Sequence, residues 1–159
     1  AEMIKTTFAE LKKIKGIHIL ADRITDRLGV FSFYADKIHH NLFTKLLNDR
    51  YGIQVRGGCS CAGTYGHFLL NVDFKLSNEI TERIEAGDLS LKPGWIRLSL
   101  HPTMTDEELD FILNAVKEVV RYASEWEKDY VYDNHTNEFH HKSFREKDSS
   151  DYSKWFEFD

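Results

Sequence analysis

Apolar positions recur along this chain in two periods, and the switches between them outline its elements. Ile4, Phe8 and Leu11 return at helical spacing, so residues 2 to 15 are predicted to form an amphipathic helix that Gly16 stops. IHIL (17 to 20) is predicted as a short strand, and VFSFYAD (30 to 36), β-branched and aromatic after Gly29, as a strand buried on at least one face. Ile38, Leu42, Phe43, Leu46 and Leu47 make the stripe of a second helix ending at Tyr51-Gly52, and IQVR (53 to 56) reads as the next strand. Ile80 and Ile84 place a third helix over 75 to 86, followed by a loop through Lys92-Pro93-Gly94. WIRLSL (95 to 100) sets Trp95, Arg97 and Ser99 against Ile96, Leu98 and Leu100, the period of a strand with one polar face. Thr105 and Glu108 form a capping-box pattern ahead of Leu109, Ile112, Leu113, Val116, Val119, Val120 and Ala123, which line one side of a final helix.

Helices and strands alternate, yet the strands are few and short, and a half-polar WIRLSL cannot be covered on both faces. The expected fold is therefore α+β, a two-layer sandwich of a small sheet with helices on one face, rather than a doubly wound parallel sheet. The character of the chain changes near residue 126. Residues 1–125 read as one domain, and 126–159 as a polar, charged extension without sustained period. That extension holds Trp126, Tyr130, Tyr132, Phe139, Phe144, Tyr152, Trp155, Phe156 and Phe158, more aromatics than a disordered tail carries. It is expected to wrap its own domain.

Composition narrows the possible roles. The 159 residues are 42% hydrophobic, enough for one domain with a sizeable core, and the net charge of -5, with its cations spread along the chain, argues against a nucleic-acid partner. No apolar run approaches the roughly 20 residues of a membrane span, and AEMIKTTFAELKK has no signal-peptide core. The expected location is the cytoplasm, with no membrane partner.

Both cysteines sit in one glycine-rich turn, RGGCSCAGTYG (56 to 66). A single residue between them makes a disulfide strained at best, so the thiols are expected to be reduced. Free cysteines are commonly small buried hydrophobes. Here Gly57, Gly58, Gly63 and Gly66 leave an open turn where a thiol is reachable, and the nearby Arg56 lowers the pKa of a thiolate. A metal site would need about four ligands in spaced pairs; no second pair is evident, and none is expected.

The span VRGGCSCAGTYG resembles the R-x-G-x-x-C-A-x-P segment of the class V aminotransferase family of pyridoxal-phosphate enzymes, in its cysteine desulfurase and selenocysteine lyase branch. Upstream, GVFSFYADKIHHNLFTKLLNDRYGIQVRGG follows the family's order of strand, histidine-led helix and strand ending in arginine. Downstream, GWIRLSLHPTMTDEELDFILNAVKEV resembles its closing strand with a central arginine and a threonine-capped helix. The resemblance implies that Cys61 is the nucleophile that takes the chalcogen, that Arg97 binds the α-carboxylate of an amino-acid substrate, and that Arg56 is the arginine opening the cysteine loop. A bidentate guanidinium suits a carboxylate better than an ammonium does. Taken alone, Arg97 and Arg56 would read as surface cations. Thr64 stands where the family usually has proline and Ser60 where histidine is frequent.

The family's cofactor lysine lies in an N-terminal domain, in a histidine-lysine pair upstream of the cysteine. The pair in this chain, His141-Lys142, is downstream of it. The resemblance thus implies the C-terminal small domain of a lyase giving alanine from cysteine or selenocysteine, with pyridoxal phosphate in the parent enzyme and none expected on these residues. The parent would be a homodimer whose partners include that N-terminal domain and a sulfur-acceptor protein. Two alternatives stand beside it. One is the small domain of a class V aminotransferase acting on another amino acid; the other is a noncatalytic thiol- or metal-binding module.

Overall fold

A computed structural model describes residues 2–59 and 63–143 of the protein. Helix α1 (Glu2–Lys13) leads to β1 (Ile17–Ile19) and β2 (Val30–Ala35), then α2 (His40–Tyr51) and β3 (Arg56–Gly58). Two helices, α3 (Gly63–Leu69) and α4 (Phe74–Glu85), precede β4 (Trp95–Ser99), the long α5 (Asp106–Trp126) and a hairpin of β5 (Tyr130–Asp133) and β6 (Glu138–His141). The first four strands form one antiparallel sheet in the order β1-β2-β4-β3. It is the α+β sandwich that the alternation implied.

The register of the central pair decides the layering. Phe31 faces Leu98 and Phe33 faces Ile96 across β2 and β4, so all four side chains point to one side, where they are at most 3% exposed. Helices α1, α2 and α5 cover that side through Phe8, Leu11, Phe43, Leu46, Leu47, Leu113 and Val116. Phe8 meets Phe31 and Phe33 meets Phe43 edge to face, with centroids 5.2 and 5.7 Å apart. Each large apolar side chain so buried contributes about 1.5–3 kcal/mol. The predicted stripe of α5 is buried at Leu109, Ile112, Leu113, Val116, Val119 and Ala123, and the Thr105–Glu108 capping box is formed in both directions.

Several segments differ from the sequence-based expectation. Residues 53–55 are not part of the ladder, which begins at Arg56. The Gly52 and Ile53 amides instead bond Asn48 and Leu47 carbonyls in the left-handed turn that closes α2. The turn expected through Gly63 and Gly66 is a helix from Gly63 onward, and Gly66 is buried within it. A Cβ on Gly66 would stand 3.3 Å from the Trp95 ring, so α3 lies on the second face of the sheet and shields Trp95 to 6% exposure. The described start of the aromatic extension is the β5–β6 hairpin, which folds back on α2. Tyr130 and Phe139 join the main core, Tyr130 Oη donates to Asp49 at 3.0 Å, and Asn41 Nδ2 donates to the Asn137 carbonyl. The aromatics from Phe144 onward lie outside the described residues. Among the described residues, no helix is long and apolar enough to cross a membrane.

Two substitutions test this packing. A Cβ at Gly57 would stand 2.7 Å from Asn41 Oδ1 and 2.9 Å from Thr44 Oγ1, so Gly57→Ala is expected to push α2 off β3 and cost about 1–3 kcal/mol in denaturant unfolding. Thr105→Ala removes the cap of α5 and is expected to cost about 1 kcal/mol in the same measurement.

Candidate functional site

The second sheet face carries the candidate chemistry. Alternation along β4 puts Arg97 on the side away from the core, and the register sets it between Ser32 of β2 and Arg56 of β3. Two guanidinium-bearing residues thus stand directly opposite each other on paired strands, where Cβ atoms are about 4.5–5.5 Å apart and like charges destabilise. Arg56 is exposed and Arg97 half-buried, and among the described residues neither has an acidic side chain within ion-pair distance. An arrangement that pays this repulsion without an internal counter-ion suits an external anion, and paired planar donors suit a carboxylate. Helix α3 shields the Trp95 end of the face, while Val30 and Ser99, at the other end, remain exposed.

Strand β3 runs from Arg56 directly into the cysteine turn. Gly58 leaves the strand at φ +108, a conformation that favours glycine, and delivers Cys59, a half-buried free thiol. The Cβ of Cys59 lies 3.7 Å from a Cβ built on Gly66, so its first atoms face α3. Cys61 and Ser60, singled out from the sequence, lie outside the described residues. Among the described residues, no three His, Cys, Asp or Glu side chains gather in a group that could hold a metal ion.

One feature had a sequence signal but no assigned role. His39 and His40, adjacent just before the apolar stripe of α2, stack with ring centroids 4.3 Å apart. His39 caps the helix, its Nδ1 accepting the Asn41 amide at 3.1 Å, and packs against Tyr132 and Phe139 of the hairpin. His40 is 6% exposed. The Nε2 atoms of both are buried without a hydrogen-bond partner among the described residues. Burial holds the His39 pKa below its ordinary value, and burial, then His39, then Lys92 push that of His40 down to about 3. Both rings are therefore neutral near pH 7. The adjacent histidines were visible in the sequence; their burial depends on the hairpin and on Gly94, both distant along the chain.

The second face of the small antiparallel sheet in this α+β fold thus carries an arginine pair beside a thiol-bearing strand end. Residues 1–112 match the aminotransferase class-V family, and the chain belongs to it. No curated protein matches the chain. The family is generally dependent on pyridoxal phosphate. The described residues do not fit that cofactor's attachment: every described lysine is exposed or half-buried, and Lys142, of the His-Lys pair, donates from the end of the hairpin to the Lys128 carbonyl.

Removing one charge from the like-charged pair relieves repulsion. Arg56→Gln is expected to leave stability unchanged or raise it by about 0.2–1 kcal/mol, with the gain shrinking at high salt, in urea unfolding at two ionic strengths. A clear loss of stability would mark Arg56 as a structural residue.

Proposed function

We propose that the chain is the small domain of a pyridoxal-phosphate-dependent lyase that takes sulfur or selenium from cysteine or selenocysteine and leaves alanine. The observation that carries this reading is the Arg56–Arg97 pair on the face away from the core, without an acidic partner among the described residues, on a strand that continues into the cysteines. Arg97 binds the substrate α-carboxylate, with Arg56 adding positive field. Cys61 is the nucleophile: its thiolate attacks the substrate sulfur, an S–S bond forms as the C–S bond breaks, and the carbon that receives the bond pair takes a proton. The products are alanine and a persulfide on Cys61, which passes to an acceptor protein. The cofactor supplies the electron sink and is held by residues other than those described. The intact enzyme is a homodimer in the cytoplasm.

The family match supports an amino-acid substrate, and the two cysteines support the chalcogen. The same fold and the same Arg97 would serve a class V enzyme acting on another amino acid, for which Cys61 is dispensable. Kinetics of the intact enzyme separate the two. Cys61→Ser is expected to abolish desulfuration of cysteine and Cys59→Ser to leave it; full activity of Cys61→Ser would overturn the assignment. Arg97→Ala is expected to raise KM for the amino acid by roughly 30-fold or more, since losing one partner of a desolvated charge pair costs about 2–5 kcal/mol. Arg97→Lys should recover only part of that, because an ammonium cannot reproduce the two-pronged contact.

A further inference from the structure

The ring of His40 packs on Gly94, which itself lies against Gly58, 36 residues earlier in sequence. A Cβ built on Gly94 would stand 2.6 Å from both Cε1 and Nε2 of the His40 ring and 2.8 Å from the α-carbon of Gly58. A Cβ on Gly57 would stand 3.4 Å from the His40 carbonyl oxygen. The ring thus packs against Gly94, the residue that precedes β4, and Gly94 in turn lies against Gly58, the residue that leaves β3. Gly58 is followed by Cys59, and Gly94 by Trp95 with Arg97 two positions on. Helix capping is done by His39, and the buried Nε2 of His40 has no hydrogen-bond partner among the described residues. An aliphatic side chain would fill the same space without leaving a buried polar atom unpaired, so packing alone does not account for an imidazole there.

We propose that His40 is a positioning residue: its neutral ring locks the outgoing end of β3 to the 92–94 segment, and its protonation opens that lock. The charged or titratable groups facing the ring are His39, stacked on it, and Lys92 of the 92–94 segment, while Gly57 of β3 lies against the His40 carbonyl. The hairpin reaches it through Tyr132 and Phe139, which pack on His39. Among the described residues, no carboxylate is paired with either histidine. A proton on His40 would therefore sit in a buried site beside one cation and a second imidazole, with no counter-charge. Its low pKa in the closed state has that cause. In the opened state the ring regains its ordinary value of about 6.5, so opening takes up a proton. Stability of the lock is complete above that value and falls as pH drops toward the closed-state pKa, by up to about tenfold in the opening equilibrium per pH unit.

The functional meaning of the lock, keeping the thiol-bearing strand end in register with Arg97, rests on the function proposed above. The lock itself does not. Peptide-resolved amide hydrogen exchange on the full protein between pH 7.5 and 5, corrected for intrinsic exchange rates, needs neither cofactor nor substrate. Opening of residues 57–59 and 94–95 is expected to rise together below about pH 6.5, approaching tenfold per unit, while α5 stays protected. In His40→Gln, whose side chain does not titrate, the pH slope at both segments should vanish. In His39→Asn, which keeps a capping acceptor, it should remain. A slope unchanged in His40→Gln, or one confined to a single segment, overturns the proposal. If His40→Gln does not fold, the wild-type protein decides: opening at both segments with α5 protected supports the lock, and equal opening of α5 overturns it. Failure here leaves the Arg97 and Cys61 kinetics untouched, and failure of those kinetics leaves the exchange slopes as they are.

Discussion

The structure depends on the antiparallel pairing of β2 with β4. That register puts Phe31, Phe33, Ile96 and Leu98 on one side and Ser32 and Arg97 on the other, and a slip of one residue would exchange the two sets. Such a slip would expose four side chains now at most 3% exposed and drive an arginine under α1, α2 and α5. The burial of those four groups is thus also what holds Arg97 toward the second face. Core packing and candidate chemistry are two sides of one hydrogen-bonded ladder.

The second face is finished unevenly, and the unevenness has a purpose under the proposed function. Trp95 is too large and apolar to stand in water, and α3 meets it through Gly66, where an added Cβ would stand 3.3 Å from its ring. Two residues along, Arg97 keeps company only with Ser32 and Arg56 in the ladder. A like-charged cross-strand pair does nothing for stability, which makes it a better indicator of ligand binding than an ion pair would be. The third region of interest, the His39–His40 stack, sits on the opposite side of β3, where α2, the 92–94 segment and the hairpin converge. There burial keeps both rings neutral near pH 7.

Local chemistry determined much of this from the sequence. The capping box of Thr105 and Glu108, the stripe of α5, the termination of α2 at Gly52 and the half-polar period of β4 depend on residues within a turn or two of each other, and all were readable as patterns. The family resemblance of the cysteine turn and of GWIRLSL was equally local, and the family match over residues 1–112 agrees with it at the level of the family. The sequence also singled out Arg97 and Arg56 as residues of interest. Only the tertiary structure made them neighbours, because the pairing of β3 with β4 and its register join segments far apart along the chain. The same holds for α3, whose short and weakly patterned GTYGHFL becomes a helix with Trp95 as its packing partner, and for IQVR, whose strand-like composition lost to the turn closing α2. His39 and His40 show the division most clearly. Two adjacent histidines are an unremarkable pair of polar residues until Gly94 and the hairpin, more than 50 positions downstream, close over them and remove the water that would have satisfied their nitrogens. Periodicity and capping act over one turn of chain and are written in it; burial, register and the pKa of a ring depend on what arrives from elsewhere.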